Sequence, residues 1–407
     1  MPGHLRQTFA ALSVRPFRIL WIGTIFAFVA FFMSMVTQSV VAFDLTGQNR
    51  AVGFVVFSQG IMMFTLAPLG GALADRWPKR RVIAVCQLLT MSVFFWIAWG
   101  IASERIQIGW LMMGSAVMGT SFAFMGPARQ SLAVELVGKA RRGNAVALTQ
   151  VANSGCRVLG PAVAGAFLAW STDGVWAAYI VMGVLYLISA LSLGLLPRSV
   201  VSSDASRARL LDDILAGLRY VRDHPQLRPL MLLFTLVIML GFPYITLLPG
   251  FVQNQLGLPT ESSSVQFGVT AFGALTASVV VARYADSPRS PALFSLMALG
   301  FALSLLAVAA APSFFGLTVI VFVAGVFSGG FQTLAGAVII RSTEPRYVGR
   351  VMSLTMLSFA GFGLMGLPIG YLADALGERT ALAVMGLAVG SVVLWLRRSS
   401  SFKRHSS

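Results

Sequence analysis

Apolar residues run along this chain in blocks of about 20, the length one bilayer crossing needs, and short polar stretches separate them. About twelve blocks are counted, near residues 17–43, 52–74, 82–102, 108–128, 144–169, 175–196, 228–251, 264–284, 292–311, 314–339, 351–373 and 379–396. In lipid every backbone N–H and C=O must find a partner inside the protein, so blocks of this length predict transmembrane helices. The pattern therefore predicts an all-α, multi-pass membrane protein. The first block is about twice as long as the apolar region of a cleavable signal, so it is expected to stay as the first span.

Two polar interruptions stand out. Residues 70–81, Gly-Gly-Ala-Leu-Ala-Asp-Arg-Trp-Pro-Lys-Arg-Arg, read as a short loop with one acid, Asp75, among four bases. Residues 197–227 are longer than a turn. There Leu211, Ile214, Leu215, Leu218 and Val221 recur at helical spacing, which predicts an amphipathic helix on the inner membrane surface. An inert tether and a regulatory or partner-binding element both fit it. The domain boundaries follow: an N-terminal bundle 1–196, a linker 197–227, and a C-terminal bundle with its tail, 228–407.

Composition agrees with the pattern. The chain is 57% hydrophobic and 11% charged, with mean hydropathy +0.81, whereas soluble domains carry roughly 25% charged residues. The net charge of +16 does not point to nucleic acid, because the bases cluster in alternate loops. With both termini inside, roughly 26 of the 30 Lys and Arg fall on the cytoplasmic side. Arg50, Arg105 and Arg379 are outside, and Arg157 lies within a span. The expected location is a bacterial-type inner or cell membrane. Cys86 and Cys156 sit inside apolar blocks as small core residues, and His4, His224 and His405 are scattered, so no metal or cofactor is expected. No nucleophile–base or phosphate-cradling motif appears, which argues against an enzyme and against direct ATP drive.

A half-chain repeat is visible. Gly143 and Gly160 in the first half match Gly349 and Gly366 at the same offset in the second, and Ala285-Asp286-Ser287-Pro288-Arg289 echoes the 70–81 loop. Such a repeat predicts two related bundles around a shared cavity. Gly71-x-Leu73-Ala74-Asp75-Arg76-x-x-Lys79-Arg80 resembles the loop between the second and third spans of the major facilitator superfamily; Pro78 stands where that family usually has Gly. Three further stretches resemble the bacterial drug-, macrolide- and enterobactin-exporting members. These are Pro127-Ala128-Arg129-Gln130 with Glu135, Gly217-Leu218-Arg219-Tyr220-Val221 with His224-Pro225, and Phe43-Asp44-Leu45-Thr46-Gly47.

The resemblance implies a fold of twelve transmembrane helices in two pseudo-symmetric six-helix bundles, alternating access, and export more than uptake. It also implies a conformational latch in which Asp75 docks against the start of the eleventh span near Gly349 and Arg350. Gly71, Arg76, Lys79 and Arg80 are the other expected members of that latch, and Arg129 either extends it or lies on a plain solvated surface. Asp75 capping only its own loop is the plainer alternative.

Within the fifth span Gln150, Asn153 and Arg157 lie three and four residues apart and share one face. An Arg at membrane mid-depth costs at least about 2.5 kcal/mol, so it is expected to face a cavity, as a substrate contact or as a donor to a neighbouring helix. Gln38 and Gln332 are weaker candidates for the same cavity. Gly155-x4-Gly160-Pro161-x3-Gly165 resembles the antiporter signature of facilitator exporters, although ordinary small-residue packing explains it as well. No acid lies deep in a span, so proton antiport is implied by the resemblance alone, with Asp44 as its leading candidate. The expected function is secondary, proton-coupled export of an amphiphilic drug, metabolite or siderophore by a monomer. A lysophospholipid facilitator and a non-transporting receptor or scaffold are the competing readings.

Overall fold

A computed structural model describes residues 10–138, 141–170, 174–197, 210–284, 287–344 and 347–398. Inside its helices, the side chains at 68, 70–76, 150, 154, 158, 169, 170, 210–214 and 282 are outside that description. The described residues hold no strand. The helices are α1 Arg15–Thr46, α2 Asn49–Arg76, α3 Lys79–Ala102, α4 Ile108–Val137, α5 Arg142–Trp170 and α6 Gly174–Gly194. After the linker come α7 Leu210–Asp223, α8 Leu227–Leu240, α9 Tyr244–Gly250, α10 Ser263–Ala282, α11 Ser290–Ala309, α12 Phe314–Arg341, α13 Val348–Leu376 and α14 Glu378–Arg398. Among the described residues, eleven helical stretches are long and apolar enough to cross a membrane. The helix that falls short on apolarity is α5, whose 29 residues include Asn144, Gln150, Asn153 and Arg157.

The chain forms two compact units, one of residues 1–38 with 62–210, the other of 39–61 with 211–407. In the first, α3 packs on α4 and α6, and α5 on α4 and α6. Phe17 and Leu20 of α1 meet Ile83 and Cys86 of α3 and Met125 and Leu132 of α4 in one apolar core. Buried polar groups are matched between helices. Gln87 Nε2 donates to Ser189 Oγ at 2.7 Å, and Ser189 Oγ donates to the carbonyl of Gly23 at 2.6 Å. Such interhelical bonds contribute about 0.6 kcal/mol each in membranes. In the second unit α11 packs on α12 and α14, as α3 packs on α4 and α6, so the sequence repeat has a counterpart in helix pairing.

Three sequence expectations are refined. The 70–81 stretch is not a loop along its length: α2 continues to Arg76 and α3 begins at Lys79, leaving Trp77 and Pro78 between them. Pro78 has no N–H to continue α2, and its carbonyl instead receives the N–H of Arg81 at 2.8 Å, opening α3. The seventh span is interrupted. Between α8 and α9, Gly241-Phe242-Pro243 breaks the helix, and a wide π turn, Phe251–Gln255, follows α9. Pro243 has no N–H to continue the ladder, and the chain crosses the break in tight turns, with the N–H of Tyr244 on the carbonyl of Gly241 at 3.2 Å and that of Thr246 on the carbonyl of Pro243 at 2.9 Å.

In α7 the predicted stripe is split. Gly217, Tyr220 and Val221 are buried, whereas Leu215 and Leu218 are more than half exposed. The small Gly217 lets α7 lie against Arg350. Tyr220 stacks on Tyr347 with centroids 4.1 Å apart, and its hydroxyl accepts the N–H of Glu344 at 3.1 Å.

Candidate functional site

Six polar residues meet where α2 begins. Gly47 turns the chain after α1 with φ of 64°, a conformation that favours glycine, and Asn49 follows as the first residue of α2. Asp374, at the end of α13, accepts the main-chain N–H of Asn49 at 2.8 Å and that of Arg50 at 3.1 Å. A carboxylate thus satisfies donors that the first turn of α2 leaves open. Arg50 Nε lies 3.8 Å from the same carboxylate. Glu378, the first residue of α14, is 3% exposed. Its Oε1 accepts from Asn49 Nδ2 at 2.9 Å and Asn254 Nδ2 at 2.6 Å, and its Oε2 from Gln255 Nε2 at 2.9 Å.

Arg379 does not pair with Glu378. Its nitrogens donate to Gln255 Oε1 at 3.0 Å and to the carbonyls of Ala309 and Ala311 at 2.8 and 2.9 Å. That bond to Gln255 fixes which end of the amide faces Glu378. A cavity of about 480 Å³ opens beside this cluster, lined by Gln48, Arg50, Asn254 and Asp374 among others.

Glycines bring the helices together below the cluster. A Cβ at Gly53 would fall 2.7 Å from the carbonyl oxygen of Gly366, one at Gly60 2.6 Å from Cα of Gly363, and one at Gly370 2.7 Å from the carbonyl oxygen of Asn49. The contacts advance along α2 as they retreat along α13, so the two helices are antiparallel. Asp44 accepts a hydrogen bond from Thr260 at the same end of this unit.

The first unit holds most of the other sequence candidates. Gln38 is 4% exposed and committed: its Oε1 accepts from Ser115 Oγ at 2.5 Å and its Nε2 lies 3.2 Å from Met118 Sδ. Asn153 is half-buried on α5. The guanidinium of Arg157 lies 5.5 Å from the ring centre of Phe32. Arg129 is 4% exposed and covers the ring of Phe28 at 5.5 Å. Lys79 pairs with Glu135, and Arg80 donates to the carbonyls of Leu196 at 2.5 Å and Gly194 at 3.0 Å, closing the end of α6. Gln332 is half-buried in the second unit. The side chains of Gly71, Asp75, Arg76 and Gln150, and the Asp286 echo, lie outside the described residues.

The sequence profile of the Major Facilitator Superfamily matches residues 20–360. The chain belongs to that superfamily. As a major facilitator it is a multi-span transporter of the cell membrane. None of the curated proteins compared with it matches the chain. Its fold is similar to three solved facilitators, among others. The nucleoside transporter NupG is 13% identical, with TM-score 0.75, over 96% of this chain and 99% of that one. A POT family transporter in complex with a thioalcohol-conjugated peptide is 11% identical, with TM-score 0.71, over 94% and 95%. A bacterial homologue of the human lysosomal transporter Spinster is 16% identical, with TM-score 0.69, over 95% and 96%.

The sequence reading missed Asn49, Glu378, Asn254 and Gln255. A signal was present. Gly47 and Gly377 both take positive φ, 64° and 84°, and each is followed within two positions by a polar residue that opens a helix. Asp374 and Glu378 flank that second glycine at a spacing of four.

Proposed function

We propose that this facilitator exports an amphiphilic small molecule by alternating access, with both termini in the cytoplasm and proton antiport as its drive. The observation that carries the reading is the Asn49–Asp374–Glu378 cluster above a glycine seam. It joins α2 to α13 and α14 by hydrogen bonds and by close backbone contact at paired glycines, with the Phe54 and Tyr371 rings edge-on 6.1 Å apart beside the seam. A joint of that kind can part and re-form, because its polar groups can exchange protein partners for water at small net cost. In the proposed orientation it is the outer latch.

The inner latch is Asp75 at the far end of α2, acting on the start of α13 with Gly71, Arg76, Lys79 and Arg80 around it. Each helix of the pair then carries a carboxylate at its end that serves the other's first turn, and alternating access engages them in turn. Export is favoured over uptake by the stretches at 43–47, 127–135 and 217–225 that resemble drug, macrolide and enterobactin exporters. Asp44, held by Thr260, is the proposed proton carrier. Arg157, with Asn153 and Gln150 on the same helix, is the proposed substrate contact.

The test compares a strain lacking the gene with one complemented by the wild-type or Asp75→Asn protein, using untargeted mass spectrometry of cells and medium. An amphiphile that accumulates inside without the gene and leaves on complementation, but less so with Asp75→Asn, is the expected result. Loss of lysophospholipid uptake would replace export by the lipid reading. Identical metabolite profiles with all three would leave the transport reading without support.

A further inference from the structure

The interior of the first unit holds two guanidinium groups that approach one face of one helix. Arg129 comes from α4 and Arg157 from α5, and they lie 5.5 Å from the ring centres of Phe28 and Phe32. Those rings are four residues apart on α1, so they share a face and are separated by about 6 Å along the axis. Phe31 extends the surface: it stands edge-on to Phe32 at 5.3 Å and stacks on Phe122 of α4 at 5.2 Å.

Arg129 is incompletely matched. Its Nη2 lies 3.3 Å from Met125 Sδ, a weak acceptor, while Nε and Nη1 have no hydrogen-bond partner. The described acids of this unit are Glu104, in the turn after α3, and Glu135, which Lys79 occupies. A buried charged donor left unmade costs more than the 1–3 kcal/mol of a neutral one. A cation–π contact returns only about 0.5–2 kcal/mol. Charged groups kept at such cost inside a membrane protein mark pathways for substrates or ions.

We propose that Arg129, Arg157, Phe28 and Phe32 form an anion-binding site. Its ligand joins a carboxylate, sulfonate or phosphate to an aromatic or otherwise apolar body. The two guanidinium groups hold the anion through charge-assisted hydrogen bonds, and the phenylalanine stripe holds the body. The proposal rests on the export reading only for what the site is used for; binding is independent of it.

The full-length protein, in nanodiscs of phosphatidylcholine, is titrated calorimetrically with 2-naphthoate and with 2-naphthamide, which share a shape and differ in charge. Naphthoate is expected to bind at least about tenfold more tightly, about 1.4 kcal/mol. Arg129→Gln and Arg157→Gln each remove most of that preference, and Arg129→Lys keeps part of it through its charge. If Arg129→Gln does not fold, Arg129→Lys and Arg157→Gln decide the matter. Equal binding of the two probes, or a wild-type preference in both glutamine variants, overturns the site. A preference without flux in vesicles overturns the transport reading and leaves the site; flux without a preference does the reverse.

Discussion

Oδ1 of Asp374 accepts the main-chain N–H of Asn49 at 2.8 Å, across 325 positions of sequence. The end of α13 thereby caps the beginning of α2. An anion at a helix N-terminus contributes about 0.3–1 kcal/mol, and up to about 2 when partly buried. Asp374→Asn removes the charge and leaves one acceptor oxygen for two backbone donors. A loss of about 1 kcal/mol shifts a two-state equilibrium about fivefold toward the parted joint. Spin labels at the exposed positions Leu45 and Leu376 report it as a gain in the longer of two distances. Asp75→Asn is expected to move the distribution the other way. An unchanged distribution in Asp374→Asn would show that the cap does not hold the joint.

Gly250 tests the same joint without removing a polar group. A side chain there would meet Asn49 Oδ1 and fall 3.0 Å from Glu378 Oε1. Gly250→Ala is therefore expected to separate Asn49 from Glu378 and to reproduce the label distances of Asn49→Ala. Glu378→Gln keeps the shape but places an NH₂ group against amide donors, so it loosens the joint as well. Should Gly250→Ala match the wild type while Asn49→Ala does not, the bond to Glu378 is not what Asn49 contributes.

The glycine seam makes a steric prediction. At Gly60 and Gly363 the two backbones face each other, and a Cβ at Gly60 falls 2.6 Å from Gly363 Cα. Gly60→Leu holds α2 and α13 apart and is expected to cut transport at least about tenfold, the effect of about 1.4 kcal/mol lost from one obligatory state. Gly109 and Gly126, beside which a Cβ meets nothing within 4 Å, serve as controls, and alanine there leaves flux unchanged. Normal flux in Gly60→Leu would mean that this contact never has to close.

Hydropathy carried the helices because lipid allows almost no other backbone structure. Block length and block order were therefore readable without any contact information. The break at Gly241-Phe242-Pro243 was legible in principle, from Pro243 itself, yet the uninterrupted apolar character of residues 228–251 concealed it. The site was read unevenly. Arg157 stood out because a charge inside an apolar block is costly wherever it points. Glu378 did not, because a carboxylate between two blocks looks solvated until the chain that covers it is placed. Asn49, Asn254 and Gln255 cover it from sequence separations of 329, 124 and 123 residues. Gln38 shows another side of this: a lone amide inside an apolar block gives no sign of its neighbours, and only the fold sets Ser115 and Met118 against it.

Lys79 and Glu135 form an ion pair of unequal partners. The Lys79 side chain is 10% exposed and that of Glu135 is 42%. Lys79 also opens α3, where the helix dipole disfavours a cation. The consequences of removing each partner should therefore differ. Lys79→Ala leaves Glu135 facing water and removes a half-screened attraction, a loss of about 1 kcal/mol or less. Glu135→Ala leaves a buried ammonium with no counter-charge at an unfavourable helix end, a loss of about 3 kcal/mol. The double variant is expected to recover most of the larger loss, since the buried charge goes with its partner. Unfolding of the purified variants in mixed detergent micelles orders the three. A larger loss in Lys79→Ala than in Glu135→Ala would mean that the carboxylate, not the ammonium, is the group that depends on the pair.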